Sequence, residues 1–148
     1  MATITGAQIV DRVRSLCASE PFLWEESVAL DADFGFDPSQ VITGAPVFVI
    51  EPLQSRLSIG QTGFREDRID DMTVSVAYAV TGDDHAAVRS SMLNAVHSLT
   101  SAVVRDAHVT SGDYGILDEG KDSSISQARG ASFLVLRLTL PVQYEIGL

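Results

Sequence analysis

The sequence predicts an α+β domain in which one mixed, mostly antiparallel β-sheet packs against two amphipathic helices and carries long loops. Apolar residues alternate with period two in residues 72–80 and 134–146, which indicates strands with one buried face. They recur at three- and four-residue intervals in residues 9–17 and 88–103, which indicates two helices with one buried stripe each. The length of 148 residues suits one domain, so we expect a single domain spanning residues 1–148.

Composition places the chain among folded proteins, with 45% hydrophobic and 20% charged residues. No run reaches the roughly 20 apolar residues of a membrane helix. The N terminus, MATITGAQIVDRVR, has no basic block followed by an apolar block, so we expect no signal peptide. The lone Cys17 excludes an internal disulfide and a cysteine-based metal knuckle.

The formal net charge is −10, from 20 acidic against 10 basic residues. Tight nucleic-acid binding draws on clustered Lys and Arg side chains. The densest basic spots here, Arg12 with Arg14 and Arg65 with Arg68, are interleaved with acids. Two interpretations stay open: a merely soluble acidic surface, or a surface that repels DNA and membrane while meeting a basic protein partner.

The first helix is predicted from Thr5 and Gln8, which form the pattern of a capping box. Its apolar stripe is Ile9, Val13, Leu16 and Cys17. Pro21 ends it, and residues 24–43 carry aromatics without a firm period, so their fold stays open between a short strand and a turn. A short buried strand is predicted at residues 47–50.

Residues 53–67 are polar and contain two glycines, which predicts a long exposed loop or a hairpin arm. The next strand is marked by alternate apolar residues, namely Met72, Val74, Val76, Tyr78 and Val80. Gly82 interrupts it, and Asp83 or Asp84 is expected to cap the second helix. The apolar face predicted for that helix is Val88, Met92, Val96, Leu99 and Val103.

Residues 109–127 have the composition of a loop, and a last strand is predicted over residues 132–146. Fifteen residues at ~3.3 Å each span about 50 Å, against a radius of gyration of roughly 15 Å for a chain of this size. Pro141 lacks a ladder donor and belongs at an edge or a bend. We therefore expect a core segment at residues 132–140, followed by residues 142–146 on a turned sheet or on another subunit's edge; we favour the second.

Several motifs that carry chemistry are incomplete. Residues 115–122 match a phosphate-binding loop except at its last position, where Asp122 replaces the Ser or Thr that holds magnesium. Residues 31–42 resemble a calcium loop but lack its glycine at position six and its final glutamate. The histidines lie 12 and 11 residues apart, without helical ligand spacing. We therefore predict no catalytic, cofactor-binding or metal-binding residue.

The layout resembles the tail terminator, or tail-to-head joining, proteins of long-tailed bacteriophages and phage-like particles. The resemblance rests on the first helix at residues 5–19, PVFVIEP before a polar loop, IDDMTVSVAYAV, DDHAAVRSSMLNAVHSL, and the terminal SFLVLRLTLPVQYEI. It covers most of the chain except residues 24–43. It implies a structural ring, with six-fold symmetry expected, that caps the tail tube, stops its polymerisation and joins the head connector.

The resemblance further implies the major tail tube protein and the head-tail connector or stopper as partners, and DNA that passes through the lumen without specific binding. It implies location in the virion tail or neck, after assembly in the host cytoplasm, and no catalysis, cofactor or membrane. Alternatives are another neck or tail component, such as a head-completion, stopper or tube protein, and a small non-catalytic binding domain.

Three segments are candidate contacts with a neighbouring subunit or the tube: residues 58–67, residues 112–129 and the strand end after Pro141. Aromatic and arginine side chains are typical anchors of interfaces, and a strand end can pair with a neighbour by strand addition. The candidate interface residues are Phe64, Arg65, Arg68, Tyr114, Lys121, Arg129, Val142, Tyr144 and Ile146. For each, the alternative is a surface loop or an ordinary strand end.

Overall fold

A computed structural model of the protein describes residues 3–27, 46–127 and 132–147, with residues 56–59, 61 and 62 described by their backbone alone. The α+β prediction is confirmed: two α helices pack on one face of a mixed sheet of seven strands in the described part of the chain. Helix α1 spans Gly6–Ala18, followed by β1 (Glu25–Glu26), β2 (Val47–Ile50), β3 (Gln54–Thr62) and β4 (Arg65–Ala79). Helix α2 spans His85–Arg105, followed by β5 (Tyr114–Ile116), β6 (Asp122–Ser126) and β7 (Phe133–Gly147).

The beginnings of the two helices differ in their capping. Thr5 and Gln8 form the predicted capping box on α1, each side chain bonding the other residue's main-chain N–H. Asp84 is the N-cap of α2, but its carboxylate accepts from the main-chain N–H and the hydroxyl of Thr81. The Asp84 carboxylate therefore ties the helix to the preceding turn. It accepts no hydrogen bond from the main-chain N–H groups in the first turn of α2.

The sheet is organised around β4 and β7, which pair antiparallel over fifteen residues each. Strands β2 and β3 both pair with β4, whereas β5 and β6 both pair with β7. Strand β1 adds to β2 in parallel, which makes the sheet mixed. The predicted loop or arm over residues 53–67 is the β3–β4 hairpin.

The main core lies between the helices and one face of the sheet. On this face the even-numbered residues 72–76 of β4 and 134–144 of β7 are buried, as the period-two pattern predicts. Helix α2 contributes Met92, Ala95, Leu99 and Val103, and α1 contributes Ile9, Val13 and Cys17. A smaller apolar cluster on the opposite face of the sheet comprises Val47, Ala77, Phe133 and Val135.

Pro141 lies inside a continuous β7, so the prediction of a hinge there is wrong. Its carbonyl accepts from the N–H of Leu117, on the side of β7 away from β4. In an antiparallel ladder the N–H and C=O of one residue point to the same side. The proline nitrogen therefore points away from β4 as well, between Thr139, where β6 pairing stops, and Val142, where β5 pairing starts. The β4–β7 ladder loses no donor at Pro141, and the strand continues.

The prediction of a loop over residues 109–127 is also wrong, because this stretch contains regular structure. A π-helical turn, Asp106–Ser111, extends α2, and β5 and β6 follow. These strands are short: β5 reads YGI, and β6 reads DSSIS with one apolar residue. Neither carries a recognisable period. Both form because the main-chain N–H and C=O groups of β7 pair with theirs. The fold of residues 24–43 was left open by the sequence. Trp24 is buried, and residues 28–43 lie outside the described residues.

Candidate interaction site

The tip of the β3–β4 hairpin presents an aromatic side chain to solvent. Thr62 pairs with Arg65 across the turn, and Gly63 has a φ of 58°, a left-handed conformation that glycine adopts readily. Phe64 follows it and is 83% exposed. Arg65 is exposed as well, and its guanidinium donates to the Glu145 carboxylate at 3.2 Å. These two candidate interface residues, Phe64 and Arg65, thus stand together at the end of the hairpin.

A buried polar group lies further along β4. Asp70 is only 3% exposed, and the Tyr144 hydroxyl donates to its Oδ2 at 2.5 Å. The pKa of Tyr144 is raised, first by burial and then by this hydrogen bond. Asp70 Oδ1 lies 3.6 Å from Arg68 Nε, and within the described part of the chain neither buried atom makes a hydrogen bond. The two atoms therefore form an ion pair with each other that is longer than a hydrogen bond.

These groups line a groove with a volume of about 520 Å³ between the start of α1 and the β2–β3 connection. Its apolar lining is Ala7, Val10, Ile50, Pro52 and Leu53, and its charged lining is Asp11, Arg14, Arg68 and Asp70. Gly6 brings the helix close to this wall, because a Cβ on Gly6 would come within 3.0 Å of Leu53 Cδ1 and 3.4 Å of Tyr144 Oη. We name this feature the α1 groove.

A second polar cluster joins α1 to the π-helical turn. Arg12 donates from Nε and Nη2 to the two carboxylate oxygens of Asp106, both at 3.0 Å, and its pKa is raised chiefly by this pairing. The Tyr114 hydroxyl donates to Asp106 Oδ2 at 2.5 Å. Burial, and then the bond to Asp106, raises the pKa of Tyr114. The cluster satisfies its central carboxylate and closes the helical layer over β5.

The nine candidate interface residues occupy different environments. Phe64 and Arg65 are exposed, whereas Arg68 and Lys121 are half-buried and face Asp70 and Asp118 respectively. Tyr114, Val142 and Tyr144 are buried in the core, and Ile146 packs against it. Arg129 lies outside the described residues. The structure therefore leaves the hairpin tip as the exposed part of the predicted set.

The expectation that residues 142–146 need another subunit's edge is corrected by their pairing. Val142 to Ile146 lie opposite β4 residues 66–70 on one side. On the other side β5 pairs with Val142, Gln143 and Tyr144, and the Ile4 N–H donates to the Glu145 carbonyl at 2.9 Å. The ladder of this strand end is thus filled within the chain.

The incomplete motifs take on structural roles. Gly115 lies in β5, Lys121 donates to Asp118 at 2.8 Å, and Asp122 begins a strand where a phosphate loop needs a helix. His108 Nε2 accepts from the Ile116 N–H, and burial raises the pKa of Cys17 to about 12. The calcium-like residues 31–42 lie outside the described residues.

The groups that sequence reasoning missed are Asp70, Asp106 and Arg12 with their partners. Asp70 offered one usable signal, a charged residue at an even position of the predicted β4 pattern, two residues before Met72. Arg12 and Asp106 offered none, since they are separated by 94 residues. Among the described residues, no group of three or more His, Cys, Asp or Glu side chains is arranged to hold a metal ion, and no helix has both the length and the apolar character to cross a membrane.

No protein-family model matches this sequence, and no curated protein matches it.

Proposed function

We propose that this chain is a structural, non-enzymatic ring protein of the phage tail terminator kind. In this role it caps the end of the tail tube, stops tube polymerisation and forms the joint to the head connector or stopper. The observation that carries the proposal is the exposed Phe64 at the end of a long hairpin. Large aromatic side chains at such positions are typical anchors of protein interfaces.

The charge of the chain supports the same role. With 20 acidic against 10 basic residues, a ring of these chains repels the DNA backbone, so that DNA passes through its lumen without specific binding. The arginine of the hairpin tip is already paired with Glu145, which lowers its attraction for phosphate. The proposed partners are further copies of the chain in a hexamer, the major tail tube protein and the head connector, in the tail or neck of a virion assembled in the host cytoplasm.

The first experiment measures the mass of the purified protein by light scattering over a range of concentrations and images the same samples by negative stain. We expect rings with a central hole. A protein that remains monomeric both alone and in the presence of purified tail tubes would contradict the proposal and favour a small binding domain.

A second experiment separates the terminator from another neck or tail component. Particles are assembled from a phage genome that carries this sequence with and without an early stop codon. Tubes of abnormal length without the protein support the terminator. Tails of normal length that fail to join heads indicate a stopper or head-completion role instead.

A further inference from the structure

We propose that His108 is a pH-sensitive latch on the outer edge of β5, closed while its imidazole is neutral and open once the ring is protonated. The latch is one hydrogen bond, in which the main-chain N–H of Ile116 donates to His108 Nε2 at 3.2 Å. The inference goes beyond the proposed function and does not rest on it, because the contact lies within one chain.

The first argument is the direction of the Ile116 N–H. The N–H of the next residue, Leu117, donates to the Pro141 carbonyl, so Leu117 faces β7. Successive residues of a strand present their ladder groups to opposite sides, and the Ile116 N–H therefore points away from β7. An unpaired donor on a strand edge is a point at which a further strand can add. The imidazole of His108 occupies this point.

The second argument is the backbone on either side of the imidazole. His108 lies in the π-helical turn, which ends at Gly112 with a φ of 67° and with the Gly112 N–H donating to the Ala107 carbonyl at 2.9 Å. On β5, a Cβ at Gly115 would come within 3.2 Å of His108 Cε1. The absence of a side chain there lets the ring lie against the strand. Turns of π-helix are rare and are frequently found at functional sites.

The third argument is the chemistry of the bond. A ring nitrogen accepts a hydrogen bond only when it is unprotonated, so His108 carries its proton on Nδ1. A protonated ring has an N–H group on both nitrogens and then faces the Ile116 N–H with a second donor. The bond therefore stabilises the end of β5 while the ring is neutral, and it is lost as the pH falls. His108 is exposed, so protons reach it from solvent.

Charged groups around the turn give the protonated ring an alternative partner. The Asp118 carboxylate, on the connection from β5 to β6, interacts with His108 by charge and also accepts from Lys121 at 2.8 Å. It favours the protonated ring. The other charged or titratable groups on α1, α2, the turn and β5 nearby are Arg12, Arg105, Asp106, Asp113 and Tyr114. Arg12 and Tyr114 both donate to Asp106, which keeps that carboxylate occupied. Acid thus moves the ring from Ile116 towards Asp118.

The opening is confined to the end of β5. Tyr114, at the start of the strand, is 1% exposed and is held by Asp106, without a histidine in the contact. We therefore expect Ile116 and the residues after it to loosen at acid pH while the rest of the sheet stays paired.

The tautomer of His108 is the first measurement. A long-range proton–nitrogen correlation spectrum of the purified protein at about pH 8 identifies the ring nitrogen that carries the proton. We expect Nδ1. A proton on Nε2 overturns the latch, because that nitrogen then has no lone pair for the Ile116 N–H.

Amide hydrogen exchange measures the opening. The exchange rate at Ile116 is divided by the rate at Glu51, whose N–H donates to the Thr73 carbonyl, and this ratio removes the general effect of pH on exchange. Histidine changes its charge between about pH 8 and about pH 5. Over this range we expect the ratio to rise roughly fivefold, as the loss of one hydrogen bond predicts. A constant ratio overturns the proposal, whether the chain stays closed or unfolds as a whole.

Three variants assign the response to His108. His108→Gln keeps an acceptor that does not titrate, so its ratio should stay low at both pH values. Gly115→Ala should displace the ring and give a high ratio at both. His97→Gln is the matched control, because His97 is also exposed but lies on α2, and it should respond to pH like the native protein. A pH response that survives in His108→Gln, or a native response in Gly115→Ala, overturns the latch.

Discussion

The two long strands β4 and β7 run side by side through two regions that are built differently. Under the helices, Met72 and Val74 face Leu140 and Leu138 across the ladder, and all four are buried. Towards the hairpin tip β4 becomes charged, and Asp67 lies directly opposite Glu145. Like charges in directly opposed positions destabilise a sheet, although the contact of Arg65 with Glu145 offsets part of this cost.

One continuous β4–β7 ladder therefore carries two kinds of surface, an apolar one under the helices and a charged one near the hairpin tip. Main-chain pairing is continuous from Arg65 to Ala79, so the backbone does not distinguish the regions. The side chains do: apolar burial stabilises the helix-covered half, while the hairpin half keeps charged and aromatic groups near solvent. A surface that is retained at a cost in stability is typical of a site under selection for binding. Four variants and one titration probe this difference, from the largest expected effect on stability to the smallest.

Leu140→Asp should unfold the protein. Leu140 is fully buried in the helix-covered half, and an unpaired carboxylate there costs about 5 kcal/mol, comparable with the whole stability of a small domain. Circular dichroism and a urea titration measure the effect. Gly147→Asp is the control. Gly147 is exposed at the end of the same strand, and a Cβ added there has no atom within 4 Å. If Leu140→Asp remains folded, the assigned buried face of β7 is wrong.

Arg12→Ala should destabilise the protein by about 2 kcal/mol, because it leaves the Asp106 carboxylate without its charged partner in a nearly buried position. Arg14 on the same helix is the matched control. Its side chain is 39% exposed against 32% for Arg12, but its partners Asp11 and Glu26 are exposed. Arg14→Ala should therefore cost about 0.5 kcal/mol. Equal losses in urea titrations would show that the burial of the partner does not decide the effect.

Tyr144→Phe probes the boundary between the two regions. It removes the donor to Asp70 and retains the ring, so we expect a loss of about 1–2 kcal/mol in the free energy of unfolding. Tyr144→Phe combined with Asp70→Asn should lose less than the sum of the two single variants, because both remove the same bond. Additive losses would contradict a direct coupling between the two side chains.

The tyrosines should make the fold sensitive to alkali. Burial raises the pKa of Tyr78 to about 12 and raises those of Tyr114 and Tyr144 as well. Since the unfolded value is about 10, the unfolded chain loses protons first as the pH rises. The stabilising contribution is therefore fully present below pH ~10 and falls as the pH rises from there through the folded pKa values. Tyrosinate absorbance in the native protein should appear only at a pH where the unfolded chain has already titrated; titration at the ordinary pH would contradict this.

Phe64→Ala should have the smallest effect on stability. The side chain is almost fully exposed at the hairpin tip, and surface substitutions of this kind change the free energy of unfolding by about 0.5 kcal/mol or less. The same variant is expected to lose self-association. A large loss of stability in the isolated chain would show that Phe64 packs within its own subunit.

Much of the fold was predictable because local chemistry carries it. The capping box at Thr5 depends on residues three apart, and the buried faces of β4, β7 and α2 repeat with the period of their own backbones. The exposed pair Phe64 and Arg65 was also predicted, since a polar, glycine-containing stretch favours an arm and an aromatic in it stands out. The short strands β5 and β6 were not predicted, because a three-residue strand has no period to detect.

By itself, the sequence determined the α+β class, the helix-facing residues and the acidic character of this protein. Only the tertiary structure decided which polar residues meet: Asp70 with Tyr144, separated by 74 residues, and Arg12 with Asp106, separated by 94. It also decided that Pro141 sits in a central strand, because its nitrogen points away from β4 and the β4–β7 ladder loses no donor there. The physical reason is that periodicity reports which face of an element is apolar, whereas partners across the fold depend on the path of the whole chain.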